Sequence, residues 1–270
     1  MNQFIKFHVL ALTAMSMTFI SCSDEKDEPT PDTPTEPKVE NVFTNGVPSS
    51  INGANITTNN NGQVTKIVDG NETITIEYGA FSRADNFNVK ATIKDDYDTE
   101  TFYMQTNKQG FATYVLQVYS DPTAGENEDG TDTWRFEYSS DGQLTRLQRS
   151  ESGDDFTITY VNGDIVKVVH VDNDNDRNEY TINYTGGKPN KGCVMMFDGF
   201  FGIDMDEMDI FYYAGLLGNA TKNLPVGYVE KNKDGDTYTE TFHWEFDAND
   251  FPTKFWSGDN VWDAVTWSWN

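Results

Sequence analysis

The sequence predicts an all-β fold: a large curved antiparallel meander sheet or partly closed barrel of repeated hairpins, with one short helix covering an end. Three observations predict it. A strand motif recurs, with Trp134, Phe136 and Tyr138, then Phe156, Ile158 and Tyr160, then Tyr180, Ile182 and Tyr184 at alternate positions, so that each run presents one apolar face. A glycine turn follows each run, at Asp141-Gly142, Asn162-Gly163 and Gly186-Gly187, supplying the positive φ that tight hairpins need. Proline is absent from Ser49 to Asp121, which suits a run of paired strands.

The chain begins with a segment that does not read as fold. Lys6 supplies a short positive region, and Val9 to Ile20 form an apolar stretch too short to span a bilayer, so residues 1–21 read as a signal peptide. Phe19-Ile20-Ser21-Cys22 then resembles the lipobox of bacterial lipoproteins, with Phe19 where leucine is usual, which implies acylation of Cys22. Several acyl chains would anchor firmly where one is marginal. Ser23-Asp24-Glu25-Lys26-Asp27-Glu28 resembles the acidic signal that sends Bacteroidota lipoproteins to the outer face of the outer membrane, although acids also suit a solvated linker. Residues 22–45 carry Pro29, Pro31, Pro34 and Pro37 and few apolar side chains, and read as a disordered tether. Residues 46–270 read as a single β domain.

Further copies of the strand pattern lie on both sides of the central three. Ile74, Ile76 and Tyr78 alternate with Thr73, Thr75 and Glu77; strands are expected near 86–93, 99–106 and 111–119, the last apolar on both faces and so expected between two layers. Phe242, Trp244 and Phe246 form a later copy, and the chain ends on Val265, Trp267 and Trp269; some 14 strands are expected in all. Between the copies, Asp204 and Glu207 read as a capping box opening a helix through Met208, Phe211, Tyr212 and Leu216, stopped by Gly218 and Pro225. With the hairpin copies, YYAGLLGNATKNLP (residues 212–225) is similar to a Bacteroidota lipoprotein family, domain of unknown function 4595. The resemblance implies a porin-like fold over roughly Asn60 to Trp269 and brings no catalytic residue with it.

The formal net charge of −25 argues against a nucleic-acid partner, which needs a positive face, and against resting the folded domain on an anionic lipid surface. Asp172, Asp174 and Asp176 alternate like the start of a calcium loop, but Arg177 stands where such loops have Gly and Asn183 where they have Glu, so a solvated hairpin loop is preferred. His170 and His243 show no short ligand spacing for zinc, and Cys193 among apolar neighbours reads as an inert thiol. The chain contains no Gly-x-Ser-x-Gly elbow or phosphate-cradling loop. A transmembrane barrel is disfavoured, because the second face of the strands is rich in Thr, Glu, Asp and Lys. Trp256, Trp262, Trp267 and Trp269 lie near turns or the chain end and are the candidates for stacking on a ligand. The expectation is a non-catalytic outer-membrane lipoprotein, facing the cell exterior, held through its lipid anchor only and without a cofactor, that binds an extracellular ligand such as a glycan. A structural role docking an envelope protein is the alternative, and a carbohydrate-active enzyme comes third.

Overall fold

Sixteen antiparallel strands close into a barrel in the computed structural model, which describes residues 37–81, 86–120 and 130–269. In chain order they are β1 (Ser50–Ile51), β2 (Ala54–Thr58), β3 (Val64–Asp69), β4 (Glu72–Phe81), β5 (Phe87–Lys94), β6 (Thr99–Thr106), β7 (Ala112–Ser120) and β8 (Thr131–Tyr138). There follow β9 (Leu144–Arg149), β10 (Asp155–Val161), β11 (Asp164–Val171), β12 (Arg177–Asn183), β13 (Gly227–Lys231), β14 (Thr237–Phe246), β15 (Pro252–Ser257) and β16 (Val265–Ser268). Each strand pairs with its neighbour in sequence, and β1 closes the ring on β16 through Ser50 opposite Ser268 and Ile51 opposite Trp267. The meander expected from the hairpin motif is therefore complete, with no free edge. The signal peptide, Cys22 and residues 121–129 lie outside the described residues.

The aromatic face of the motif points inward. Trp134, Phe136, Phe156, Ile158, Ile74 and Ile76 are all buried, while Thr75, Glu77, Glu137 and Thr157 on the alternate positions are open to solvent or half so. The outer wall carries cross-strand ion pairs, Lys90 with Glu77 at 2.8 Å, Arg146 with Asp155 at 2.6 Å and Lys167 with Glu179 at 2.7 Å. Strand β7 is not held between two layers: Val115 and Gln117 are buried inward, and Leu116 and Val118 lie half-buried on the outer wall.

The turns use one device repeatedly. Asn107 accepts the amides of Gln109 and Phe111 at 2.9 and 3.0 Å, and Asn59, Asn232, Asp247 and Asp172 each do the same two and four residues on. Three residues after the acceptor the chain turns left-handed, at Gly62, Gly110, Asn175, Gly235 and Asp250. A short polar side chain that closes a turn onto its own backbone, followed by a residue tolerant of positive φ, is what makes these loops tight.

A ring of sixteen strands is wider than its own side chains can fill. Residues 190–225, the connection between β12 and β13, cross the lumen and fill it. They contain α1 (Phe197–Phe201) and a 3-10 helix (Asp206–Ala214), where one α-helix over Asp204 to Leu216 covering an end was expected. Asp204 does not cap that helix; its side chain accepts the Asp206 amide at 3.0 Å in a local turn. Met208, Phe211, Tyr212 and Leu216 are buried as their spacing implies, and Asp204, Asp206, Glu207 and Asp209 reach solvent. Phe200 packs at 4.8–6.1 Å on Phe242, Trp244 and Phe255, Phe211 at 5.1 Å on Phe102 across the ring, and the Tyr213 hydroxyl accepts from Trp267 Nε1 at 3.0 Å. Arg149, stacked 4.7 Å over Trp134, ties the wall to this insert by pairing with both the buried Asp132 and Asp206. Burial alone would raise Asp132, but hydrogen bonds from Ser150 and Arg149 and from the Thr133 and Glu151 amides outweigh it and hold the carboxyl below its usual range.

The end of the insert straps one rim. Leu216 takes the Ala112 amide at 2.8 Å, Asn219 binds Gly142 at 2.8 Å and Lys222 binds Gly163 at 3.1 Å, so every third residue meets the next hairpin. Gly142 (φ 76) completes its turn and leaves no Cβ to collide with Phe111 or Asn219, which would come within 2.8 Å. The chain reaches the barrel at this same strapped rim, where the Val39 amide donates to Gly62. Val39, Val42 and Phe43 belong to the core, with Phe43 against Tyr212 and Tyr213 at 5.4 and 5.8 Å, so the stretch read as tether through residue 45 is folded from Val39 on. Its few apolar residues have a lumen to enter.

Replacing Phe200 with Ala empties the centre of this packing and is expected to cost about 3–5 kcal/mol in urea-induced unfolding.

Candidate functional site

The four candidate tryptophans do not share a surface. Trp267, expected to be open for stacking on a ligand, is instead 3% exposed, faces the lumen beside Trp244 and donates to Tyr213. Its pairing opposite Ile51 fixes that inward register, which a terminal position in the sequence does not reveal. Trp269 is half-buried, packed on Phe251 at 4.9 Å with its indole nitrogen bonded to the Pro252 carbonyl at 2.7 Å. Trp256 stands on the outer wall, its ring parallel to His243 at 5.1 Å and under the Lys254 ammonium at 5.3 Å, so neighbours occupy much of its surface. Trp262 alone among them is open, 90% exposed in the hairpin between β15 and β16.

That hairpin belongs to the rim opposite the strap, and two further exposed aromatics stand on it. Tyr97, 71% exposed, lies in the β5–β6 hairpin, and Tyr238, 55% exposed, directly follows the β13–β14 turn. Sequence reading missed both, although an aromatic placed in or beside an Asp/Asn turn with no apolar partner two residues away was the available signal. The far rim therefore presents Tyr97, Tyr238 and Trp262 from three separate hairpins.

The same rim gathers carboxylates. Burial, then the charges of Asp69 and Asp95, raises Glu72; burial raises Glu100 and Asp198. Asp209 is pushed up to about 6 by desolvation, with Asp198, Asp204 and Glu207 adding like charge. Asp209 nevertheless has an exposed edge, and it borders a cavity of mixed lining of about 200 Å³ with Asn52, Asp69, Met195 and Tyr213. That volume is below the range of ordinary small-molecule pockets.

Asp172, Asp174 and Asp176 form the β11–β12 turn. The Asp172 carboxylate is taken up by the amides of Asp174 and Asp176, both at 2.9 Å, and Asp176 pairs with Lys233. The alternating oxygens thus repeat the turn device of Asn107 and Asn232. Among the described residues no three His, Cys, Asp or Glu side chains converge as metal ligands. His170 bonds Asp154 at 2.6 Å and stacks on Phe156 at 4.2 Å, while His243 stands on a different strand with Trp256. Cys193 is half-buried, and burial pushes its thiol up, away from nucleophilic use.

A filled sixteen-strand barrel is a recognisable architecture. A family model described as a domain of unknown function (DUF4595) with porin-like fold matches residues 50–254. The chain belongs to this family. A porin-like protein from Bacteroides uniformis superposes with a TM-score of 0.56 at 17% identity, covering 80% of this chain and 88% of its own. A porin-like protein from Bacteroides vulgatus gives a TM-score of 0.51 at 17% identity, covering 80% of this chain and 92% of its own. No curated protein matches the chain. In this DUF4595 member the match runs from β1 into β15 and includes the whole lumen insert.

Because its folded-state pKa is raised, Asp209 favours folding while protonated; that contribution is complete below the unfolded carboxyl value and is lost as pH rises to about 6. Asp209→Asn is therefore expected to melt higher than the parent chain at pH 7.5 and at the same temperature below pH 4, by calorimetry across that range.

Proposed function

We propose that this DUF4595 protein is a lipoprotein anchored through Cys22 in the outer membrane, facing the cell exterior, that binds an extracellular glycan without catalysing a reaction. The observation that carries the reading is the placement of Tyr97, Tyr238 and Trp262 on hairpins of one rim, the rim opposite the one where the chain joins the barrel. An anchored chain arriving at the strapped rim directs the far rim away from the membrane. Aromatic faces that solvent reaches stack on the apolar faces of sugar rings, and the Asp and Asn side chains of the same hairpins suit sugar hydroxyls. The filled lumen leaves transport through the barrel without a path, and the ion pairs on the outer wall favour water over lipid around it. A porin-like fold is in keeping with an envelope location. Docking of an envelope protein on this rim is the alternative role, favoured by the same exposed aromatics.

The test is a glycan array with the soluble chain from Ser23 onward, beside Trp262→Ala, Tyr238→Ala and Tyr97→Ala. Each residue is exposed, so the variants should keep the parent melting temperature. Saturable binding to a defined saccharide is expected, weakened roughly tenfold in at least one variant by the loss of about 1.4 kcal/mol of stacking. Binding should be the same in calcium and in chelator, because the Asp172 carboxylate is engaged within its turn and that of Asp176 by Lys233 of the neighbouring hairpin. A blank array, or binding untouched in all three variants, contradicts the reading.

A further inference from the structure

The strapped rim holds a feature of opposite sign to the rest of the molecule. In a chain of net charge −25, Lys188, Lys191 and Lys222 line one open cavity of about 470 Å³, with Asp250 as the facing carboxylate. Three chain segments build it, and each is held by its backbone. The Lys188 carbonyl takes the Leu224 amide at 2.8 Å, and the Lys222 carbonyl takes the Asn190 amide at 2.8 Å. Asn190, itself buried, bonds Val194 and Thr221 and fixes the segment between the lysines.

The side chains are placed as firmly. The Lys222 stem lies across Gly163, where a Cβ would come within 2.7 Å of it, so the hairpin glycine makes room for the lysine. The Lys188 ammonium sits 4.1 Å over the Phe246 ring and bonds Asp250 at 2.8 Å. The Lys191 ammonium sits 4.7 Å over Phe251 and donates to the Asn249 carbonyl at 2.6 Å. Asp164, the nearby acid on β11, is taken up by Asn223 at 2.7 and 2.8 Å. Three ammonium groups and one carboxylate, Asp250, thus line a single cavity.

We propose that this cavity binds a phosphate monoester, whose charge of −1.5 to −2 at neutral pH and three terminal oxygens can engage three ammonium groups at once, where a carboxylate offers two oxygens and a single charge. Lysines act here as point charges around a tetrahedral anion rather than as a planar fork. The phosphate comes either from a lipid headgroup, because the strapped rim is where the chain joins the barrel, or from a soluble phosphorylated sugar. The site is separate from the far rim and does not depend on glycan binding there.

Glucose 6-phosphate titrated by calorimetry into the soluble chain from Ser23 onward should bind saturably, with a Kd on the order of 1 mM at low salt that weakens as salt is added. Lys222→Gln and Lys188→Gln should each weaken it at least tenfold, Asp250→Asn should tighten it several-fold, and Lys90→Gln on the outer wall should leave it unchanged. A parallel sedimentation assay uses phosphatidylcholine vesicles with and without phosphatidic acid. Sedimentation that requires phosphatidic acid and is competed by glucose 6-phosphate supports the site and names the headgroup as its source. Binding of the sugar phosphate without sedimentation supports it with a soluble source. The proposal is overturned if neither arm shows saturable binding, if glucose binds as well as its 6-phosphate, or if Lys222→Gln and Lys188→Gln bind as the parent does.

Discussion

A closed ring of sixteen strands with an apolar inner face has to be filled, and the rest of this structure follows from that constraint. Barrels of this width leave an aqueous channel when their inner face is polar. Here the inner face carries Trp134, Phe136, Phe156, Phe242 and Trp267, which water would solvate poorly. Residues 190–225 supply the missing interior. Their apolar side chains meet the wall, with Phe197, Phe200, Phe201, Phe211 and Tyr212 each at most 1% exposed, while Asp204, Asp206, Glu207 and Asp209 reach solvent at the rim. For a segment threaded through a closed ring, helical propensity matters less than fit. The result is a short α-turn and a 3-10 run rather than one regular helix.

This constraint decides what could be read from the chain and what could not. Alternation at Trp134, Phe136 and Tyr138 is local, so strand and hairpin were legible in the sequence, whereas which face turns inward depends on the closed ring. Closure was not legible, because Ile51 and Trp267 meet across nearly the whole length of the domain and no local pattern records it. The same distant pairing turned Trp267 inward. Val39, Val42 and Phe43 looked like the end of a tether because three apolar residues among polar ones cannot make a core; they can complete one that already exists. The run Asp172 to Asp176 resembled a calcium loop because both uses place oxygens at alternate positions. Its counterparts at Asn107, Asn232 and Asp247 show the commoner use, in which the first oxygen closes the chain on itself.

With interior and wall committed to stability, the two rims are left to carry function, and they differ in chemistry. Hairpins of the far rim bear exposed aromatics over a crowd of carboxylates. The strapped rim is covered by residues 215–224, and the three lysines gather there around a cavity. Strapping has a further consequence for order. The β6–β7, β8–β9 and β10–β11 hairpins at that rim are tied to the same stretch that fills the lumen, so insert and wall are expected to fold as one unit rather than as a barrel with a removable plug.

Native-state amide exchange measures that coupling most directly. The Phe200, Met208 and Leu216 amides, bonded inside the insert to Met196, Met205 and Phe211 at 2.8, 2.9 and 3.2 Å, should exchange only through global unfolding, with the same opening free energy as the β5–β6 core strands. Exchange of these amides well before the strands would show an insert that leaves the lumen while the ring stays closed, and would contradict the account of a barrel held together by what fills it.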